Sequence, residues 1–187
     1  MARRALTGVL LVGGASRRFG SAKGLAELDG ETLAARAWRV LGEACTERLA
    51  VGKGRDRLEL PFPILDDGSD VRAPLAGVVA GLRAARHEIC VFLPVDCPLV
   101  TPDVLRELAE ACADAAVPAT GPLPGAYRTT VLPVLRRRLE RGELALRPAL
   151  RELETRVVDV DPTLLVNVNS PDDLRALAAA RPARAAG

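Results

Sequence analysis

Three segments of this chain carry residue types whose spacing suits binding a polyphosphate and a metal ion. The first reads Leu11-Val12-Gly13-Gly14-Ala15-Ser16-Arg17-Arg18-Phe19-Gly20-Ser21-Ala22-Lys23. It is not a P-loop, which needs Gly-x-x-x-x-Gly-Lys-Ser/Thr, and it is not Gly-x-Gly-x-x-Gly. The physics is related. Glycines let a backbone turn sharply and approach a ligand, leaving amides free to bond it. Arg17, Arg18 and Lys23 add positive charge, arginine as a planar fork and lysine as a point charge. The same residues would also make a solvated basic turn, and composition alone leaves both readings open.

The second segment is Phe92-Leu93-Pro94-Val95-Asp96-Cys97-Pro98. A carboxylate placed where an apolar strand ends, with prolines on either side, is well held for a hard cation. Magnesium takes one or two carboxylates and fills its octahedron with water and substrate phosphates. The alternative is that Asp96 caps the following turn. Asp66, in Ile64-Leu65-Asp66-Asp67-Gly68, is a candidate of the same kind, with an Asx turn as its alternative. The third segment is Val166-Asn167-Val168-Asn169-Ser170-Pro171-Asp172-Asp173-Leu174. Alternation on an extended backbone puts Asn167 and Asn169 on one face, where their amides could complete a metal shell or bind substrate. Ser170-Pro171 followed by acids also reads simply as the start of a helix.

The elements that must position these segments alternate between strand and helix patterns. Strands are expected at 6–12, 48–51, 64–65, 88–93, 115–119 and 157–160. Helices are expected at 32–44, 74–86, 101–112, 131–141, 146–153 and 171–180. Asp29-Gly30 marks a tight turn, as do Gly121-Pro122 and Pro124-Gly125. This order predicts βαβ units and an α/β fold: one doubly wound, mainly parallel sheet with helices on both faces. Residues 1–187 read as a single domain, with an ordered core over about 5–180 and a frayed tail from 181. In such sheets ligands lie beyond the carboxyl ends of the strands. That rule selects the loop after the first strand, the 66–74 loop and the 94–100 loop.

Composition excludes several classes of function. The net charge is +2, the charge signs are interspersed and aromatics make up 3% of the chain, so nucleic acid is not an expected partner. No apolar run reaches the roughly 18 residues of a membrane span, and no signal-peptide core follows the basic N-terminus. A cytoplasmic protein is expected. Cys45, Cys90, Cys97 and Cys112 form no C-x-x-C pair, and His87 is the only histidine, so a zinc site is not expected and the thiols read as buried. Of the 26 basic residues, only Lys23 and Lys53 are lysines, which makes a lysine in a glycine-rich loop more informative.

Taken together, these residues resemble the molybdenum cofactor guanylyltransferases, MobA-type members of the nucleotidyltransferase group with a Rossmann-like fold. The family pattern Leu-Ala-Gly-Gly-x-x-x-Arg-Met-Gly-x-x-Lys is matched by Leu11 to Gly14, Arg18-Phe19-Gly20 and Lys23. Gly-Pro-Leu-Ala-Gly is matched by Ala73-Pro74-Leu75-Ala76-Gly77, Asp-x-Pro by Asp96-Cys97-Pro98, and Asn-x-Asn-Thr-Pro-x-Asp-Leu by Asn167 to Leu174, with Ser170 for Thr. Each motif is weak alone. Four in order, from about residue 6 to 177, are specific.

The resemblance implies transfer of GMP from GTP to the phosphate of molybdopterin with release of pyrophosphate, dependent on Mg²⁺. It implies that Leu11, Val12 and Gly13 contact the nucleotide, that Arg18 and Lys23 serve the phosphates, and that Asp66 contacts the nucleotide. It also implies that Asp96 binds the metal, with Asn167 and Asn169 serving substrate or a second metal contact. Proteins that supply molybdopterin or receive the product are the expected transient partners. Val12 and Ala73 depart from the family's alanine and glycine, and Gly52 stands where a polar side chain is frequent. These departures bear on the base and the acceptor. A molybdopterin cytidylyltransferase would tend to show Ala-Ala-Gly in place of Val12-Gly13-Gly14, and a sugar-phosphate nucleotidyltransferase would usually be longer. A non-catalytic nucleotide-binding module would be expected to lose Lys23 or Asp96, and both are present.

Overall fold

A computed structural model describes residues 4–13, 23–56 and 58–180. Arg17, Arg18 and the 181–187 tail lie outside these described residues. The chain builds nine strands and six α-helices among them. In order they are β1 (Arg4–Leu11), β2 (Glu27–Leu28), β3 (Glu31–Thr32), α1 (Leu33–Ala44), β4 (Cys45–Gly52), β5 (Ile64–Asp66) and α2 (Pro74–Ala84). Then follow β6 (Ile89–Pro94), α3 (Pro102–Ala111), β7 (Ala115–Pro118), β8 (Gly125–Arg128), α4 (Leu132–Glu140), α5 (Leu146–Ala149), β9 (Thr155–Val158) and α6 (Pro171–Ala180).

Seven strands form one sheet in the order β5-β4-β1-β6-β8-β7-β9, and β2 pairs with β3 in a separate hairpin. β5, β4, β1 and β6 run parallel to their neighbours. β8 runs antiparallel to both β6 and β7, and β9 returns parallel to β7. The sheet is therefore mainly parallel, as expected, with one reversed strand.

Both faces of the sheet are covered, and the period of two along each central strand shows how. Leu6, Leu10, Val91 and Leu93 pack on the side of α1 and α3. Val9, Leu11, Cys90 and Phe92 pack on the opposite side, with α2, α4 and α5. Strands with apolar residues on both faces are what a doubly wound sheet requires. Gly77 and Gly81 let α2 lie close on this surface: a Cβ on Gly81 would meet Phe92 Cε1 at 2.7 Å, and one on Gly77 would meet Leu11 Cδ2 at 2.9 Å.

Local chemistry accounts for most element ends. Thr32 caps α1 by accepting from the amide of Ala35 at 3.2 Å, and Thr101 caps α3 through Val104 at 3.4 Å. Asp29 and Gly30 take positive φ values of 55° and 77°, the two-residue turn that joins β2 to β3. Several expected elements are corrected. β8 is absent from the sequence-based expectation, because Gly-Ala-Tyr-Arg directly after two prolines reads as a turn. β4 begins at Cys45, immediately after α1, and α2 ends at Ala84, because Ala85 is already extended. The helix expected over 146–153 is α5 followed by a short 3-10 turn at Leu150–Glu152, and the strand expected at 157–160 is β9, shifted to Thr155–Val158.

Candidate active site

Register brings the expected segments to one edge of the sheet. Leu11 pairs with Val51 and Pro94, and Gly52 with Asp66, so β1, β4, β5 and β6 all end at the same level. The loops leaving these four carboxyl ends surround a cleft of about 400 Å³. Leu11, Val12 and Gly13 line it from β1, Gly52 and Lys53 from β4, and Val95 and Asp96 from β6. The N-terminus of α2 closes one side through Ala73, Pro74 and Gly77. A helix N-terminus turned toward such a space favours negative charge there.

The charged centre of this edge is Lys23. Its Nζ lies 3.1 Å from Asp96 Oδ2 and 3.2 Å from Asn169 Oδ1, joining residues far apart in the sequence. Asp96 and Asn169 thus direct two oxygens at one cation, and the Lys23 and Asp96 side chains are partly exposed, at 14% and 28%. A second brace ties the same two segments together: the Val168 amide donates to the Asp96 carbonyl at 2.9 Å. Val168 is buried while Asn167 and Asn169 are exposed, so the alternation expected from the sequence holds. Asn167 lines the cleft. The Asn169 amide donates to Asp173 Oδ2 at 2.8 Å and the Asp173 amide to Ser170 Oγ at 3.1 Å, so the segment also starts α6. Both readings of this segment describe the same residues.

Asp66 is placed differently. Its carboxylate accepts from the amides of Gly68 at 2.8 Å and Gly54 at 3.0 Å, so it braces the turn after β4 against the loop after β5. The hydrogen bond from Gly68 leads the effects that hold its carboxyl below the usual carboxylate range. Its neighbour Asp67 is the one that lines the cleft.

Sequence reasoning missed Lys53. Its side chain is buried, and its Nζ donates to Asp67 Oδ1 at 2.8 Å, to the Val71 carbonyl at 2.6 Å and to the Ser69 carbonyl. An ammonium has three protons to donate, and here three acceptors take them. Lys53 therefore folds the 66–72 loop over the end of β4. Its only sequence signal is rarity, as one of two lysines between two glycines. Arg72 and Leu123 also line the cleft without having been singled out. Among the described residues no group of three or more His, Cys, Asp or Glu side chains could hold a metal. All four cysteines are buried and unbridged, and burial raises each thiol, Cys45 and Cys90 to about 12 and Cys112 to about 11.

Comparison with known proteins identifies the family and the fold. The model of the MobA-like NTP transferase domain matches residues 8–158. A probable molybdenum cofactor guanylyltransferase of Chloroflexus aggregans is 33% identical, over 91% of this chain and 92% of that protein. The molybdenum cofactor guanylyltransferase of Pseudomonas putida is 36% identical over 89% and 94% respectively. The structure of molybdopterin-guanine dinucleotide biosynthesis protein A from Archaeoglobus fulgidus superposes with a TM-score of 0.77 at 26% identity, covering 91% of this chain and 95% of that one.

Proposed function

This chain belongs to the MobA-like NTP transferase family, and from that premise we propose that it transfers GMP from GTP to the phosphate of molybdopterin, releasing pyrophosphate. The observation that carries the proposal is the convergence of Lys23, Asp96 and Asn169 at the cleft edge, where a cation already sits between two oxygen donors. The relatives named above are guanylyltransferases of the molybdenum cofactor, which supports the base and the acceptor.

In the proposed reaction a phosphate oxygen of molybdopterin attacks the α-phosphorus of GTP in line. The bond from that phosphorus to the bridging oxygen breaks, and pyrophosphate leaves with the electron pair. No protein nucleophile is required, and an ionised phosphate needs no strong base. The protein's task is to orient both phosphates and offset the charge that builds on them. Leu11, Val12 and Gly13 offer backbone groups to the nucleotide. Lys23 supplies a point charge to the phosphates, and Arg18, outside the described residues, is assigned to them by the charge of its loop and by the resemblance. Asp66 serves the nucleotide through the Gly52–Gly54 turn that it braces.

Asp96 and Asn169 would hold a divalent ion once Lys23, which bonds both oxygens here, turns to the substrate phosphates. Both present hard oxygen donors, and two protein ligands leave room for water and substrate phosphates, the preference of Mg²⁺. When bound there, Mg²⁺ would neutralise phosphoryl charge that Lys23 alone cannot balance. Residues 1–187 act as one domain in this scheme, in the cytoplasm, with transient contacts to the proteins that deliver molybdopterin or accept the product. No helix among the described residues is long and apolar enough to cross a membrane.

The test is pyrophosphate release with Mg²⁺, molybdopterin and each nucleoside triphosphate in turn. Turnover is expected with GTP. Turnover with CTP and not GTP would overturn the base assignment, and none with molybdopterin would overturn the acceptor.

A further inference from the structure

Cys97 sits beside Asp96 and is 3% exposed. Its Sγ lies 2.9 Å from Asn167 Oδ1 and 3.7 Å from Asp96 Oδ1, so Asn167 is its closer acceptor. A thiol is a weak donor, and the amide oxygen of Asn167 is the acceptor it reaches at the shorter distance. A side-chain amide carries one acceptor oxygen and one donor NH₂ group. When the thiol engages the oxygen, the NH₂ is the polar group left to meet a ligand. Among the described residues that NH₂ donates to no protein acceptor, and Asn167 lines the cleft.

We infer that Cys97 is a positioning residue: its thiol holds the Asn167 amide so that its NH₂ group faces the cleft and donates to a substrate phosphate oxygen. Asn167 and Asn169 then divide the work of their segment. The oxygen of Asn169 faces the cation position beside Asp96, while the oxygen of Asn167 is occupied and its nitrogen serves an anion. The Val168 amide, bonded to the Asp96 carbonyl, fixes the spacing between the two. An amide not held by the thiol could turn its oxygen toward the phosphate, an orientation that is repulsive.

The inference rests on the proposed phosphate chemistry, and its test separates the two. Binding of GTP and of molybdopterin is titrated individually with wild type, Cys97→Ala, Cys97→Ser and Asn167→Asp, alongside steady-state kcat and KM and thermal unfolding. Cys97→Ala is expected to weaken one of the two ligands by about 3- to 10-fold, the worth of one hydrogen bond. Asn167→Asp, which keeps the acceptor and removes the donor, should weaken the same ligand at least as much. Cys97→Ser, whose hydroxyl can still donate, should recover most of the Cys97→Ala loss. Which ligand responds identifies whose phosphate Asn167 meets. Unchanged binding of both ligands in Cys97→Ala overturns the inference. So does a Cys97→Ser variant that is as impaired as Cys97→Ala while equally folded. If wild type binds both ligands but transfers no nucleotide, the proposed function fails, and the binding series still decides the role of Cys97.

Discussion

A Cβ on Gly52 would stand 2.7 Å from the Cγ2 methyl of Val12, so Val12 occupies the space that a side chain at position 52 would need. The two positions lie on adjacent strand ends, joined by the Val12 amide donating to the Val51 carbonyl at 3.0 Å. Two departures from the family pattern are therefore one packing arrangement: the larger residue at 12 goes with the absent side chain at 52. At this wall of the cleft the protein offers backbone groups and a methyl.

Gly52→Asn alone should cost about 1–3 kcal/mol, the usual penalty for overfilling a packed site. Ile64 Cγ2, at 3.3 Å from the same Cβ, limits any escape on the other side. Combining it with Val12→Ala should recover most of that loss. Urea unfolding of the two single variants and the double variant measures the coupling. Strictly additive losses would mean that the two residues do not compete for space.

Lys53 and Asp67 form an ion pair with side-chain exposures of only 5% and 6%. Lys53→Met leaves the Asp67 carboxylate and the carbonyls of Ser69 and Val71 short of a donor. A loss of about 3–5 kcal/mol is expected, because one uncompensated buried charge costs more than the pair contributes. Removing both charges, as Lys53→Met with Asp67→Leu, should cost less than the single change. A single-variant loss below about 1 kcal/mol in urea unfolding would show that water reaches the pair.

Acid titration should report Asp66. Hydrogen bonds from Gly68 and Gly54 lower its folded-state pKa below the ordinary 3.8. Between that lowered value and 3.8 the unfolded chain binds more protons, so stability rises with pH across this window. The contribution is fully present above 3.8 and is lost as pH falls through the folded value. Asp66→Asn should flatten the dependence of unfolding free energy on pH in this range. An unaltered slope would assign the effect to other acids, of which Asp161 and Asp173 are also lowered by backbone amides.

Asp96→Ala and Lys23→Ala should each reduce kcat/KM for nucleotidyl transfer by about 10²–10³-fold, the scale set by removing one preorganised charge-stabilising group. Both side chains are partly exposed, so melting temperatures should shift little. Pyrophosphate release at saturating Mg²⁺ measures the effect, and wild-type turnover in Asp96→Ala would remove its proposed role.

Much of this arrangement was legible in the sequence because it depends on local rules. Glycine and proline punctuation, the Thr32 and Thr101 caps, and apolar alternation in β1 and β6 are short-range signals, and they locate the strand ends where ligand loops belong. β8 was not legible, since four residues between turns form a strand only because β6 and β7 offer edges on either side. The same holds for Lys53: nothing beside it in the sequence says that its ammonium is buried, because its acceptors come from a loop 14 to 18 residues away.

The sequence by itself determined the doubly wound fold and marked Lys23, Asp96 and the two asparagines as candidate site residues. Their types, and their places at strand ends, follow from periodicity and motif order along the chain. Tertiary structure alone decided which of their atoms meet. Lys23 meets Asp96 and Asn169 across 73 and 146 residues, Asp66 turns to the amides of its loop, and Cys97 takes the oxygen of Asn167 across 70 residues. The physical reason is that a hydrogen bond depends on distance and direction, which only the packing of the sheet and its loops sets.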